Sequence, residues 1–376
     1  MHEVMMAPPH ELHGSLDEML SPEALSRLEG RTVTSVRRQP FTTPYGGVSG
    51  NQFLAVQTAA DDGQTRSYVV KRTAPAWDII MRITGDTACR EMLVWQHGLL
   101  DRLPSEVGHT VVAGAVDGAG WALLLRDISD QMHPSQRWPS PGWAPLSARE
   151  LAVFLDALAA LHERYWEDTA LLDPKLGLCD LPWLYASFSP DTVRREAASP
   201  HGLAAILREG WQQFGRLAAP DLVRLVRRLQ ADTSPLCSAL RRYPSTLVHG
   251  DPNCKNFGIE LAPVPRILLL DWQLVTRAPP AVDLAFFLSL FSAVVPASNE
   301  DVIEQYRDRL AARLGDRYDD RWWRPQLDLA LLGHFLRFGA LLLARMTGHE
   351  DPAVREHYRS ELAWWTARAL AGAAWL

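Results

Sequence analysis

The chain has 376 residues, 47% hydrophobic and 22% charged, which excludes global disorder, a collagen-like repeat and a short disulfide scaffold. At ~150 residues per domain there is room for about two domains with substantial cores. Lys plus Arg number 38 against 44 Asp plus Glu, a net charge of −6. A nucleic-acid duplex or an anionic membrane would call for a strong basic face, so neither is expected as a partner. Cys89, Cys179, Cys237 and Cys254 form no C-x-x-C pair and no zinc spacing with histidine. The start, MHEVMMAPPHELHGS, shows no apolar run behind a basic head. Free thiols and a cytoplasmic location are the expectation.

Residues 1–14 read as a loose tail, and Ser15–Gly30 carries two helix-start signals, Ser15 with Glu18 and Ser21-Pro22 with Glu23. Thr32–Arg38, Phe53–Thr58 and Ser67–Arg72 are β-rich, and Asp62-Gly63 marks a hairpin turn between the last two. Cys89–Leu100 is helix-like, and Thr110–Ala115 and Trp121–Ile128 return to strand character. Residues 129–147, rich in Pro, Ser and Trp, read as a connecting loop. Beyond them, apolar positions at i, i+3 and i+4 predict helices over 151–166, 201–217, 221–229, 300–314, 327–346 and 354–373. One strand-rich island interrupts the helices, 247–250 and 266–275, read as a β-hairpin. The apolar stretches Val282–Ser298 and Leu327–Met346 contain charged residues and read as buried helices of a core. The expected organisation is an α+β chain: a tail and helix over 1–30, a small sheet-rich lobe with one main helix over 31–127, and a larger helical lobe over 128–376.

The chemistry concentrates in His249-Gly-Asp251-Pro-Asn-Cys-Lys-Asn256 and, fifteen residues after Asn256, in Leu-Asp271-Trp-Gln273. An acid, an amide five residues on and a second acid at the end of the next strand are the parts phosphoryl transfer uses. One carboxylate orients the attacking hydroxyl. An amide oxygen and the other carboxylate suffice to hold Mg2+, which keeps waters and takes phosphate oxygens as further ligands.

These segments resemble the aminoglycoside phosphotransferase and choline-kinase-like families, kinase-like enzymes acting on small molecules, in which H-G-D-x-x-x-x-N and a following I-D-[FW] recur. The continuation DWQLVTRAPPAVDLAFFL is similar in particular to the ecdysteroid-kinase-like branch, with its D-[FW]-Q and later D-L-A. The resemblance implies a bilobal protein-kinase-like fold. It makes Asp251 the catalytic base, Asn256 and Asp271 the Mg2+ ligands, Asp283 an acid bracing the loop, and His249 a buried residue that holds it. Lys71, ending the strand Ser67–Arg72, looks like the lysine that pairs the nucleotide α- and β-phosphates, with Glu91 on the next helix as its partner. Asp86, before that helix, is the rival acid. Pro44–Asn51 looks like the families' G-G-x-S phosphate turn, so Gly47 and Ser49 are further nucleotide contacts. Trp121–Ile128 resembles the hinge strand that reads adenine through its backbone, placing Leu125 and Asp127 beside the nucleotide. Arg126 stands where the families often have Glu, which leaves ATP or GTP open. Leu158–His162 matches an L-A-x-L-H helix, with His162 as a structural residue.

The chain is rich in tryptophan, 14 against 11 Phe and 8 Tyr. Trp183, Tyr185, Trp322, Trp323, Trp364 and Trp365 are candidates for the acceptor pocket, with core packing as the commoner use of such residues. The expected activity is Mg2+-dependent transfer of the γ-phosphoryl of ATP to a hydroxyl of a small molecule, by a monomer or homodimer. The alternative is a nucleotide-binding pseudokinase that serves as a scaffold. A protein kinase fits less well, because only a short stretch separates Asp271 from Asp283 and no APE-like segment follows.

Overall fold

The computed structural model describes residues 10–41, 49–132, 145–196, 202–291, 295–348 and 351–376. Ser15 and Ser21 start the helices Leu16–Met19 and Pro22–Glu29 as anticipated, their hydroxyls accepting from the N–H groups of Glu18 and Ala24. Six strands follow: β1 (Val33–Pro40), β2 (Gln52–Ala60), β3 (Thr65–Thr73), β4 (Val107–His109), β5 (Val111–Asp117) and β6 (Gly120–Arg126). Five of them form an antiparallel sheet in the order β1-β2-β3-β6-β5. The turn joining β2 to β3 is set by Gly63 at φ 77° and by Asp62, whose carboxylate accepts from Gln64 N at 2.9 Å.

Strand alternation gives this sheet two different faces. Val70, opposite Leu54 and Leu124, packs on Met19 and Leu25 of the two N-terminal helices and on Leu20 between them. Lys71, opposite Phe53 and Leu123, points to the other face, where Leu123 and Leu125 join the main core with Met92 of the helix Arg90–Gln96. A one-residue slip of β3 would therefore place the lysine among leucines and methionine.

From Ala148 on the chain is mainly helical. Its centre is the helix Asp320–Gly348, which packs against Pro352–Gly372, Gly202–Leu217 and Ala281–Phe291. By length and composition it is the one helix among the described residues that could cross a membrane, but its apolar window is wholly buried inside the protein. The apolar stretch from Val282 forms part of the buried helix Ala281–Phe291.

The strand-rich island departs from the expected single hairpin. It contains β7 (Thr246–Val248), β8 (Phe257–Glu260), β9 (Arg266–Leu269) and β10 (Thr276–Ala278). β9 pairs antiparallel with β8 and parallel with β4, whereas β7 pairs with β10. Residues 266–275 are not one strand because Asp271 turns to φ 62° and a 3-10 turn, Trp272–Leu274, follows. The island is thus two small ladders, and the loop after each inner strand carries the polar residues.

Candidate active site

The loop after β7 is held by a buried hydrogen-bond network. Asp283, buried in the first turn of Ala281–Phe291, accepts from His249 N and Gly250 N, both at 2.8 Å, and from His162 Nε2 at 3.2 Å. His162 is itself buried and bonded through Nδ1 to the Tyr306 hydroxyl at 2.5 Å. His249 donates from Nε2 to the Leu270 carbonyl at 3.0 Å and accepts at Nδ1 from Asp251 N at 3.2 Å. Burial holds its pKa below the ordinary value, matching the neutral ring those partners require. Gly250 has φ 83°, and a Cβ there would stand 2.3 Å from the Leu274 carbonyl oxygen. Asp283 and His249 brace the loop as expected, and His162, expected as a buried structural residue, joins them through Asp283.

Asp251 and Asn256 share this loop. Asn256 donates from Nδ2 to the Asp251 carbonyl at 3.1 Å, which leaves its Oδ1 as the atom able to face a cation. Its own carbonyl accepts from Leu270 N at 2.8 Å, one residue before Asp271. The side chain of Asn253 donates to Asp251 Oδ1 and accepts from Lys255 N at 2.9 Å. Asn253 was not singled out from sequence; the signal available was an amide two residues after the acid, the spacing of a local Asx-type turn. Burial, and then the charge of Asp271, push Asp251 up to about 8.

Lys71 joins the two halves of the chain. Its Nζ lies 2.6 Å from Glu91 Oε2 and 2.7 Å from Asp271 Oδ1. The lysine and Glu91 side chains are 4% and 2% exposed, whereas Asp271 is 33% exposed. Burial alone would pull the lysine pKa down, but the carboxylates of Asp271 and Glu91 outweigh it and keep the ammonium charged. An isolated buried charge costs several kcal/mol, so paired carboxylates are what allow a cation here. Glu91, not Asp86, is the partner. Asp86 instead accepts from Arg90 N at 2.8 Å and lies 3.8 Å from its guanidinium.

Among the described residues, the remaining sequence candidates do not join this cluster by any direct side-chain contact. Ser49 is half-buried, and its carbonyl accepts from Ile79 N at 2.8 Å. Gly47 lies outside the described residues. Leu125 is buried in β6 opposite Val69, and the Asp127 carboxylate is taken by Ser129 N at 3.0 Å and Ser129 Oγ at 2.5 Å. Of the aromatic candidates, Tyr185, Trp323 and Trp365 are core residues. Trp322 packs against Trp166 and Tyr318. Trp364 donates to Glu300 at 2.9 Å, and Trp183, half exposed, covers Gly85.

The residues present fit a divalent cation of the hard, oxygen-ligated kind. Asp271 offers a partly exposed carboxylate and Asn256 an amide oxygen freed by the anchoring of its nitrogen. Among the described residues no three His, Cys, Asp or Glu side chains converge as a complete metal site, so waters and phosphate oxygens would have to complete the shell.

Residues 198–316 match the model of the ecdysteroid kinase-like family, a span that includes the loop after β7, Asp271 and Asp283. No curated protein matches the chain in sequence. Among solved structures it is similar to a microcompartment-associated aminopropanol kinase, at 14% identity over 92% of this chain and 95% of that one, TM-score 0.47. It is also similar to an ethanolamine kinase of Plasmodium vivax, at 12% identity over 89% and 82%, TM-score 0.47. A third is an aminoglycoside phosphotransferase of Streptomyces rimosus in complex with ADP and streptomycin, at 19% identity over 79% and 94%, TM-score 0.45.

Proposed function

We propose that the protein is a small-molecule kinase, moving the γ-phosphoryl of ATP, or of GTP, to a hydroxyl of a small organic acceptor. The observation that carries this reading is the bridge of Lys71 to both Glu91 and Asp271, beside a loop that presents Asp251 and Asn256. Residues 31–127 form the nucleotide lobe and 128–376 the catalytic and acceptor lobe. Lys71 neutralises nucleotide phosphate charge, and Glu91 keeps the ammonium in place. Asn256 and Asp271 hold Mg2+, which supplies charge neutralisation at the phosphates when bound. Asp251 aligns the acceptor hydroxyl and takes its proton, and Asn253 fixes the carboxylate for that task. The match of 198–316 to a kinase-like family supports the same assignment.

The test is a transfer screen. The protein is incubated with Mg-ATP and pooled hydroxylated compounds: aminoglycosides, macrolides, sterols, amino alcohols and sugars. Mass spectrometry then looks for one added phosphate. The reading predicts a product that disappears with Asp251→Ala. ATP left unconsumed across the pool would favour a nucleotide-binding scaffold, and a product surviving Asp251→Ala would remove that residue from the chemistry.

A further inference from the structure

Among the described residues, three non-glycine positions have left-handed backbone: Cys89 at φ 59°, Glu167 at 51° and Asp271 at 62°. Two of them flank a single contact. Cys89 immediately precedes Arg90 and Glu91, Asp271 stands two residues before Gln273, and Arg90 Nη1 donates to the Gln273 carbonyl. The same guanidinium is held by the carbonyls of Gly177 at 2.8 Å and Thr84 at 3.4 Å. The Gln273 side chain turns the other way and donates from Nε2 to Asp78 Oδ2 at 2.5 Å. That oxygen also accepts from Thr73 Oγ1 at 2.7 Å, two residues along β3 from Lys71.

Each member of the ion-paired cluster therefore has a neighbour in one buried network: Thr73 and Asp78 for Lys71, Arg90 for Glu91, Gln273 for Asp271. Asp78, Arg90 and Gln273 are 0%, 3% and 4% exposed. Left-handed non-glycine backbone persists only where its surroundings over-determine it. Arg90 and Gln273 bond the backbone beside Glu91 and Asp271 and not the carboxylates themselves, so they act as outer partners do, aiming a ligating carboxylate and tuning its affinity for the metal, but through the chain. We propose that Arg90 and Gln273 are positioning residues, a clasp that holds Glu91 and Asp271 against Lys71 and thereby sets affinity for the Mg2+–nucleotide pair. This rests on the phosphotransferase reading above.

The experiment titrates Mg2+ at fixed ADP and follows the thermal unfolding of the full chain, a readout independent of turnover. Gln273→Met removes the link to Asp78 and keeps the backbone carbonyl. Arg90→Lys keeps the charge and shortens the reach. Both are expected to raise the Mg2+ concentration for half-maximal ADP stabilisation by about tenfold, the lower end for lost outer partners of a metal ligand. A purely structural staple would lower the unfolding temperature and leave that midpoint where it was. An unchanged midpoint in either folded variant overturns the proposal. A wild type with no Mg2+-dependent ADP stabilisation overturns the phosphotransferase reading itself, a different failure seen in a different sample.

Discussion

Lys71 and Arg337 are both buried cations, at 3% and 2% exposure, and they are accommodated in opposite ways. Lys71 has carboxylates at 2.6 and 2.7 Å. Arg337, in the middle of the long helix, has no ion pair among the described residues. It lies over the rings of Phe188, Phe286 and Phe338 at 5.6, 5.4 and 4.9 Å and makes one hydrogen bond, to Ser187 Oγ at 3.3 Å. Burial brings Arg337 down to about 10, partly offset by Asp251, whereas the two carboxylates hold Lys71 above its ordinary value. The first arrangement opens outward through the partly exposed Asp271 and can act on a ligand. The second is closed by packing and belongs to the core. Of the two buried cations, only Lys71 is paired with a group that solvent can reach.

The largest effects should separate these two regions. Asp251→Asn is expected to lower kcat by about 10³-fold, within the range for loss of a positioned general base, while ADP binding survives. Retention of most turnover would show that the loop does not carry the chemistry. Lys71→Met should cost on the order of 10²-fold in kcat, the scale of losing one preorganised charge contact to the transition state. Arg337→Met, by contrast, removes a through-space charge and no contact with the loop, so it should cost less in kcat than Lys71→Met, chiefly by pushing Asp251 further up, and leave the unfolding temperature near wild type or higher. The reason is that an apolar side chain of similar volume avoids burying an uncompensated charge. Steady-state kinetics and thermal unfolding of the pair decide the comparison, and equal activity losses would break it.

Smaller effects probe the bracing of the loop. Asp283→Ala strips the acceptor from two buried backbone N–H groups and should cost about 3 kcal/mol in urea unfolding. The raised pKa of Asp251 gives a pH signature in the nucleotide-free protein. A carboxyl at about 8 when folded and ~3.9 when unfolded binds more protons in the native state. Its contribution to stability is therefore present at low pH and is lost as pH rises through that window. Wild type should lose stability relative to Asp251→Asn between about pH 4 and pH 8; parallel curves would mean that Asp251 titrates normally.

The same contrast explains what the sequence made readable. Asp251, Asn256, Asp271 and Asp283 sit at fixed spacings because one loop, one strand and one helix start must deliver them together. Spacing is what a sequence displays. Lys71 and Glu91 are legible by their order along the chain, and the structure brings them to 2.6 Å. The pairing within 246–278 was misread because the register depends on Asp271 adopting left-handed backbone, and aspartate gives only a weak hint of it. β4 went unseen because three residues, Val-Gly-His, carry no alternation of their own; the strand exists through its pairing with β9. Gln273 and Arg90 bond through a carbonyl, which every residue has, so side-chain identity announces only half of that contact. The tryptophans beyond residue 300 pack against one another and against helices distant in sequence, an arrangement that leaves no motif.

In the proposed site, Lys71, Asn256 and Asp271 make a divalent cation and a nucleotide bind together. Calorimetric titration of ATP into wild type and Asp271→Ala, each with and without Mg2+, tests it most directly. Mg2+ should tighten ATP binding in wild type, and Asp271→Ala should lose this increment while its unfolding remains cooperative. An equal Mg2+ increment in both proteins, or none in wild type, would contradict it.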